Sequence, residues 1–320
     1  MVLRALRAHA GALDLRADRV EVEYVLNWGG FGNASYNAGD GVRRLHLKLA
    51  PDPDSQDALR RWQGVRAILE ERYHAPVMLG WLSIHGTAYQ GPIFEFVGGK
   101  FLDGFQMPSV LDELLQVVGL LHADRELERQ LAADAPAQTY LDCLMSRYIG
   151  MLREDVDTIK AEPPPFLCPI RLSWMSEQIN LLEQRARDSG AFEGAARAIV
   201  HRDLWWNNIL VQPSGRWNIV DWDDVGLGDP AMDFSNVIFP LTCGPAARRW
   251  QDFSIPTEDE AFSIRMALYR RVQMLDWVID VLADWIDCRE VPAFQEEVRA
   301  RKQAEHEQFL RIYEAEYGRG

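Results

Sequence analysis

The amino-terminal part of the chain alternates apolar and polar residues in short runs, with the two-residue period of half-buried β-strands. Glycine-containing turns separate these runs, and one stretch of helical spacing, residues 56–73, interrupts them. The predicted strands cover residues 20–28, 35–37, 43–49, 77–83 and 88–97. We therefore expect a five-stranded antiparallel sheet with one helix, preceded by a short helix over residues 3–16.

Beyond residue 108 the apolar positions recur at helical spacing instead. The predicted helices cover residues 109–133, 137–159, 171–187, 190–199, 231–239, 258–287 and 292–317. Gly98-Gly99 lies where the pattern changes, and we expect a hinge there. With 320 residues, more than one hydrophobic core usually serves, the chain is predicted to be α+β and bilobal. The smaller lobe would span residues 1–97 and the larger, mainly helical lobe residues 98–320.

The net charge of −14 is unevenly distributed along the chain. Residues 1–97 hold 11 Lys/Arg and 11 Asp/Glu, so the whole negative excess falls on the larger predicted lobe. An acidic surface disfavours nucleic acid, whose phosphates carry the same sign. It suits a cationic small molecule, and it equally suits a surface whose charge only keeps the protein dissolved.

Cysteine usage and hydropathy predict the compartment. The four cysteines (Cys143, Cys168, Cys243 and Cys288) lie far apart without a C-x-x-C pair, as free thiols in a reducing compartment do. The first 30 residues contain no secretory signal, and the longest uncharged apolar run, 234–247, is too short to cross a bilayer. We expect a cytoplasmic protein that contacts no membrane, and its oligomeric state stays open.

Residues 201–221 concentrate the chemistry of the chain. Asp203 is suited to accept a proton from a hydroxyl nucleophile, and Asn208 and Asp221 offer the hard oxygen ligands that magnesium prefers. The interval from Asn208 to Asp221 has room for two short strands and a Pro213-Ser-Gly215 turn. A β-hairpin there would place both ligands near one ion.

Three segments in this part of the chain carry a resemblance to a known family. They are His201-x-Asp203-x-x-x-x-Asn208, Ile219-Val-Asp221-Trp222 and Gly228-Asp229-Pro230-x-x-Asp233. They resemble the aminoglycoside phosphotransferase and choline kinase superfamily of small-molecule kinases, which have a protein-kinase-like fold. The resemblance is strongest over residues 199–238 and weaker from about 20 to 125. It implies ATP and Mg²⁺ as cofactors, Asp203 as catalytic base, and Asn208 with Asp221 as metal ligands.

The same resemblance implies a nucleotide site in the smaller lobe. Its implied residues are a glycine-rich phosphate loop, a phosphate-binding lysine and a hinge strand that meets the base: Gly30, Gly32, Asn33, Ser35, Lys48, Glu95 and Val97. Lys48 alternates with Leu45, Leu47 and Leu49, so the period alone places it toward either the cleft or solvent, and the resemblance favours the cleft.

One position departs from the family pattern. The family pairs the lysine with a glutamate on the following helix, and Trp62 stands at that place here. No acid lies between residues 58 and 69, so either a neighbouring acid substitutes or Lys48 lacks this partner.

The expected acceptor is small, because only seven residues separate Asp221 from Asp229 and leave no room for a peptide-docking segment. Asp276, Asp280, Asp284 and Asp287 form an acidic stripe at helical spacing, which fits either a cationic partner or a solvated face. Trp205 flanks the catalytic groups and could stack on a sugar or a quaternary ammonium. The predicted substrate contacts are Trp205, Asp223, Asp280 and Asp284.

These features predict an ATP- and Mg²⁺-dependent phosphotransferase, similar to the aminoglycoside phosphotransferases, that acts on a hydroxyl group of a small molecule. Two alternatives stay open. One is a choline, ethanolamine or sugar kinase of the same fold. The other is a pseudokinase that binds nucleotide or metabolite without turnover, which the missing helix glutamate favours.

Overall fold

The computed structural model describes residues 1–26, 32–104, 106–132, 137–243, 247–255 and 259–318. The chain forms two compact units. The first comprises Met1–Val117, Arg125–Leu131 and His201–Gly226. The second comprises Val118–Asp124, Ala132–Val200 and Leu227–Gly320. The lobe boundary at residue 97 stays a prediction.

The predicted five-stranded antiparallel sheet is present in the first unit, with strand order β1-β2-β3-β5-β4. Its strands are β1 (Glu21–Val25), β2 (Ala34–Gly39), β3 (Arg44–Leu49), β4 (Met78–Ser83) and β5 (Gln90–Glu95). The sheet prediction is therefore confirmed. Helix α1 (Val2–Ala8) is shorter than the predicted 3–16, because Gly11 and the left-handed Asp14 (φ 54°) lie in the following turns.

The two faces of strand β3 have different partners. Leu45, Leu47 and Leu49 are buried in a core that includes Leu6 of α1. His46 and Lys48 alternate with these leucines and lie on the opposite face. The amino-terminal helix thus covers the apolar face, and Lys48 is directed to the face that carries polar groups.

Helix α2 (Pro53–Arg72) follows the sheet's central strands. It begins at a favourable cap: the Asp52 side chain accepts from the Ser55 amide at 3.0 Å, and Pro53 occupies the first turn. Its buried residues are Leu59, Trp62, Val65, Ile68 and Leu69. The helix packs against strand β5 and against the turn Trp222–Asp224.

The remaining strands are short: β6 (Lys100–Phe101), β7 (Ala198–Val200), β8 (Ile209–Val211), β9 (Trp217–Ile219) and β10 (Gly226–Gly228). In the first unit, β6, β8 and β9 form a three-stranded sheet in the order β6-β8-β9. Gly215 (φ 85°) supplies the left-handed residue in the turn between β8 and β9.

His74 joins the end of helix α2 to this small sheet. Its ring stacks on Trp217 with centroids 4.0 Å apart, and its Nδ1 lies 3.0 Å from the Trp217 carbonyl oxygen. The His74 carbonyl accepts from the Ile219 amide at 3.1 Å and from Asn218 Nδ2 at 3.0 Å. We call these four contacts the His74 clamp.

The second unit is mainly helical, and α9 packs against α6, α7, α8 and α10. Two helices after α2 lie mostly in the first unit: α3 (Met107–His122) and α4 (Arg125–Ala132). The helices of the second unit are α5 (Tyr140–Leu144), α6 (Gly150–Ala161), α7 (Pro169–Ser189), α8 (Pro230–Ile238), α9 (Glu260–Asp287) and α10 (Gln295–Tyr317). Within the described ranges, no helix is both long enough and apolar enough to span a bilayer.

The predicted helix over residues 190–199 is wrong. Gly190 adopts φ 64° and ends α7, as a glycine after a helix commonly does. A side chain at Gly194 would meet the ring of Tyr140 at 2.6 Å, which indicates close packing of the chain there. The segment ends in strand β7, whose residues Ile199 and Val200 are fully buried.

Candidate active site

The hairpin predicted from the interval between Asn208 and Asp221 is confirmed. Ile209 pairs with Ile219 across strands β8 and β9. Asn208 ends the turn before β8, and its carbonyl accepts from the Val220 amide at 2.8 Å. Asp221 follows directly, so the hairpin brings the two predicted metal ligands to one end of the small sheet.

Asp203 and Asn208 contact each other directly. Asn208 Nδ2 donates to Asp203 Oδ2 and to the Asp203 carbonyl oxygen, both at 2.8 Å. Because both hydrogen bonds engage the amide nitrogen, Asn208 Oδ1 keeps its lone pairs for another ligand. The same contact fixes the orientation of the Asp203 carboxylate.

His201 supports the loop from beneath. It is fully buried, and its Nε2 lies 3.0 Å from the Val220 carbonyl oxygen. The Asp203 amide donates to His201 Nδ1 at 3.3 Å. These two contacts assign the ring proton to Nε2 in the neutral imidazole. The histidine thus joins the catalytic loop to the strand exit at Val220.

Asp221 adopts a left-handed backbone conformation, with φ 67° and ψ 54°. For a residue other than glycine this conformation costs on the order of 1 kcal/mol, and it is found mostly where function requires it. Asp221 Oδ1 accepts from Lys48 Nζ, and Asp223 Oδ2 accepts from the same ammonium at 2.7 Å. The sequence left open whether another acid replaces the missing helix glutamate as the partner of Lys48. Asp221 and Asp223 take that place, because both contact the ammonium.

This group carries excess negative charge. Burial, and next the charge of Asp223, raise the pKa of Asp221 well above its usual range. Burial is the largest influence on Asp223 and would raise its pKa, but Lys48 and a hydrogen bond with Asp221 together lower the pKa below its usual range. Burial likewise opposes the charge of Lys48, and the two carboxylates nevertheless raise its pKa. Asp221 and Asp223 share the Lys48 ammonium, and the charge of Asp203 adds to their repulsion, which a divalent cation would relieve.

The donor set fits magnesium held together with phosphate. Among the described residues, no cluster of three or more His, Cys, Asp or Glu side chains has the geometry of a metal site. Magnesium characteristically takes only one or two carboxylates and completes its octahedron with water and substrate phosphates. Asn208 Oδ1 and the Asp221 carboxylate suit that mode of binding.

The predicted phosphate loop is described in part. Gly30 lies outside the described residues. Gly32 lies in an exposed bend with open space around its Cα, and Ser35 of β2 is the cross-strand partner of Lys48. Asn33 Nδ2 donates to Asp223 Oδ2 at 3.4 Å. The loop residues thus lie beside the lysine, and their part in nucleotide binding stays a prediction.

The predicted hinge residues end strand β5. Glu95 is exposed, and its amide donates to the Val77 carbonyl at 2.9 Å. The Val97 amide makes no backbone hydrogen bond to any residue that the structure describes. The assignment of both residues to a hinge that meets the base stays a prediction.

Trp62 occupies the place where the sequence lacks an acid. Its ring is buried and stacks on Phe94 at 4.5 Å between centroids. Lys48 instead takes its carboxylates from Asp221 and Asp223. Sequence reasoning placed Asp223 among the substrate contacts and missed its pairing with Lys48. Two acids spaced two residues apart after a strand were the available signal.

The acidic stripe on α9 is not uniform. Asp284 is buried and accepts from Lys302 Nζ of α10 at 2.5 Å. Asp280 is half-buried, and its pKa is raised by burial first and then by Asp284 and Asp276. Asp155 of α6 faces the same group, and burial and the charge of Asp284 raise its pKa to about 6.

Trp205 is half-buried, and its carbonyl oxygen accepts from the Asn208 amide at 2.9 Å. The residue therefore helps to shape the catalytic loop through its backbone. Its indole ring remains a predicted substrate contact.

Comparisons with known proteins identify the family and the fold of the chain. The model of the phosphotransferase enzyme family (APH) matches residues 23–275, well over half of the chain. The GDP and kanamycin complex of APH(2")-IIIa has a similar fold, with TM-score 0.63, 14% identity and coverage of 98% of this chain and 97% of that one.

Two kinases of amino alcohols are also similar in structure. Choline kinase LicA from Streptococcus pneumoniae has TM-score 0.59 and 14% identity, with 96% of this chain and 99% of that one covered. Plasmodium vivax ethanolamine kinase has TM-score 0.58 and 14% identity, with 98% and 89% covered. The α+β, protein-kinase-like fold is confirmed, and the chain belongs to the phosphotransferase enzyme family.

Proposed function

We propose that the protein transfers the γ-phosphate of ATP, with Mg²⁺, to a hydroxyl group of a small molecule. The observation that carries the proposal is the gathering of Asp203, Asn208, Asp221 and Lys48 within the first unit. Phosphoryl transfer asks a protein mainly for positioned charges and for a group that orients the nucleophile. These four side chains supply both.

Asp203 would accept the proton of the acceptor hydroxyl. Its Oδ2 accepts from Asn208 Nδ2, which orients the carboxylate for that role. A positioned base of this kind contributes a factor on the order of 10²–10⁴ in rate. Lys48 would hold the nucleotide phosphates as a point charge.

Asn208 and Asp221 would hold the magnesium ion, which when bound neutralises charge on the transferring phosphates. Asn208 provides an amide oxygen without a competing hydrogen bond among the described residues. Asp221 provides a carboxylate that lies beside Asp223 and the Lys48 ammonium.

For the acceptor we propose a cationic compound, with an aminoglycoside as first candidate. The negative charge of the chain falls after residue 97, and burial first, then the charges of Asp284 and Asp276, raise the pKa of Asp280. Asp284 is less suited to bind a substrate, because Lys302 already neutralises it. Asp280 is therefore the stronger candidate of the two predicted contacts.

A choline or ethanolamine kinase is the second candidate, and it also fits an acidic site. Trp205 beside the catalytic loop offers an aromatic face for a quaternary ammonium. A sugar kinase, in contrast, would have no use for the carboxylates of α9.

A product screen tests the proposal. The purified protein is incubated with MgCl₂ and either ATP or GTP, together with kanamycin, spectinomycin, choline, ethanolamine or glucose. Phosphorylated products are identified by mass spectrometry. We expect a phosphorylated cationic acceptor. Failure with every compound, while the protein still binds nucleotide, would reject transfer and favour a non-catalytic nucleotide-binding protein.

A further inference from the structure

Asp223 joins strand β3 to the residue that precedes β2 through its side chain. It lies in the turn Trp222–Asp224, with its side chain 18% exposed. Its Oδ2 accepts from Lys48 Nζ of β3 at 2.7 Å and from Asn33 Nδ2, next to β2, at 3.4 Å. A single carboxylate oxygen thus holds the lysine and the phosphate-loop asparagine together.

Helix α2 offers this lysine no charge. Trp62 is 2% exposed, and its indole Nε1 has no hydrogen-bond partner among the described residues. The helix packs against the turn Trp222–Asp224, so it supports the turn through packing contacts. The carboxylates that balance Lys48 therefore come from the turn that α2 supports.

The two carboxylates beside Lys48 are not equivalent. Asp221 has a left-handed backbone and is the proposed magnesium ligand, whereas Asp223 makes its contacts to protein side chains. A carboxylate that binds a divalent cation gives up much of its attraction for a neighbouring ammonium. Lys48 then depends on the carboxylate that the ion does not use.

We propose that Asp223 is a positioning residue: it holds Lys48 and Asn33 in place for nucleotide phosphates when Asp221 is engaged by a metal ion. The proposal rests on the proposed function and assigns Asp223 a role other than substrate contact. It also supplies the acid that α2 lacks, from a position 175 residues away from Lys48 in the chain.

The chemical reactivity of Lys48 tests the ion pair without any substrate. The protein is treated with limiting acetic anhydride, and acetylation of Lys48 is quantified by peptide mass spectrometry against Lys100. In Asp223→Asn the side chain keeps its shape and loses its charge, so Lys48 should be acetylated at least about threefold faster. Asp224→Asn removes the same charge from the same turn and serves as the matched control, expected within about twofold of wild type. Asp223→Glu should restore slow acetylation.

Nucleotide affinity provides the second measurement. Calorimetric titration with AMP-PNP and MgCl₂ should give a Kd about tenfold weaker for Asp223→Asn and nearly unchanged for Asp224→Asn. Equal acetylation rates and equal Kd values in the two variants would overturn the proposal. If the wild-type protein binds neither AMP-PNP nor GMP-PNP, the proposed function fails, and the acetylation rates still decide whether Asp223 holds Lys48.

Zero-length cross-linking tests the proposal on the wild-type protein and therefore does not depend on a variant that folds. A carbodiimide joins an amine to a carboxylate in direct contact. We expect a Lys48–Asp223 linkage that increases relative to Lys48–Asp221 when MgCl₂ and AMP-PNP are added. Loss of the Lys48–Asp223 linkage under those conditions contradicts the role of Asp223.

Discussion

Each unit of the molecule gathers several aspartates around one lysine, and the two groups are built in different ways. In the first unit, Lys48 meets Asp221 and Asp223 on a turn that requires a left-handed backbone. In the second unit, Lys302 meets Asp284, one of four aspartates at regular positions on a single helix. Backbone strain is maintained only where the surrounding structure enforces it. The first group is the proposed catalytic centre, whereas the second combines the helical spacing of α9 with one contact from Lys302 of α10.

Removal of the catalytic base should have the largest effect. Asp203→Ala is expected to lower turnover by a factor on the order of 10³, because the acceptor hydroxyl loses its proton acceptor. AMP-PNP affinity should stay within a few-fold of wild type, since Lys48 and Asp221 are untouched. Turnover is measured with the acceptor found in the product screen. Retained turnover would show that Asp203 is not the base. It would also remove the reason to treat the aspartates near Lys48 differently from those near Lys302.

The two predicted substrate aspartates of α9 should respond with opposite signs. Asp284→Asn leaves the buried Lys302 with only the more distant Glu305 carboxylate, at 3.8 Å, and should cost about 3 kcal/mol of unfolding free energy. Asp280→Asn removes a carboxylate from a repulsive cluster and should be neutral or stabilising. Urea denaturation measures both. For a cationic acceptor, Asp280→Asn should also raise KM, whereas an unchanged KM would exclude Asp280 from the acceptor site.

Asp221→Asn should separate stability from activity. Asparagine tolerates the left-handed conformation, so the variant removes charge repulsion with Asp223 and adds little strain. We expect the free protein to gain on the order of 1 kcal/mol in stability while turnover is lost. Thermal unfolding measures the expected gain in stability, and the product assay measures the expected loss of turnover. A destabilised variant would show that the Lys48–Asp221 pair outweighs the repulsion.

The smallest expected effect is pH-dependent. The folded-state pKa of Asp155 is raised from 3.8 to about 6, so ionisation of this group destabilises the folded protein. The cost is absent below pH 3.8, grows between the two pKa values and is complete above about pH 6. Asp155→Asn should therefore stabilise the protein at pH 8 by on the order of 1 kcal/mol, after allowance for solvent screening, and by nothing near pH 3.5.

A matched control for this pH prediction is Asp157→Asn, two residues along the same helix. Asp157 is exposed and pairs locally with Lys160 at 3.0 Å. Its substitution should not increase stability at pH 8. An equal gain in both variants would mean that the general negative charge of the second unit, and not burial of Asp155, sets the effect.

Sequence patterns predicted the elements whose determinants are local. The alternation in residues 20–97 sufficed for the five strands, and the interval from Asn208 to Asp221 sufficed for the hairpin. The alternation of residues in β3 did not predict which face of the sheet carries Lys48 and which face packs against the rest of the protein. A two-residue period gives two faces, and only the element that covers one of them makes it the buried face. Leu6 and its helix provide that cover from 39 or more residues away.

Local sequence patterns also could not predict which charged side chains contact each other. The Lys48–Asp223 contact joins residues 175 apart, and the Asp284–Lys302 contact joins two helices. On the sequence, Asp284 looks like one more member of an exposed stripe. The error over residues 190–199 has the same cause, because packing around Gly194 and the pairing of β7 outweigh the helix propensity of an alanine-rich stretch.

The His74 clamp has a consequence for control. Helix α2 and strand β9 are joined through stacking and three polar contacts at His74, and Asp221 follows β9 by two residues. We expect a displacement of the helix by a bound molecule to be transmitted along the strand to Asp221, the proposed metal ligand. Any inhibitor that shifts α2 has a direct mechanical route to the chemistry, without touching the nucleotide.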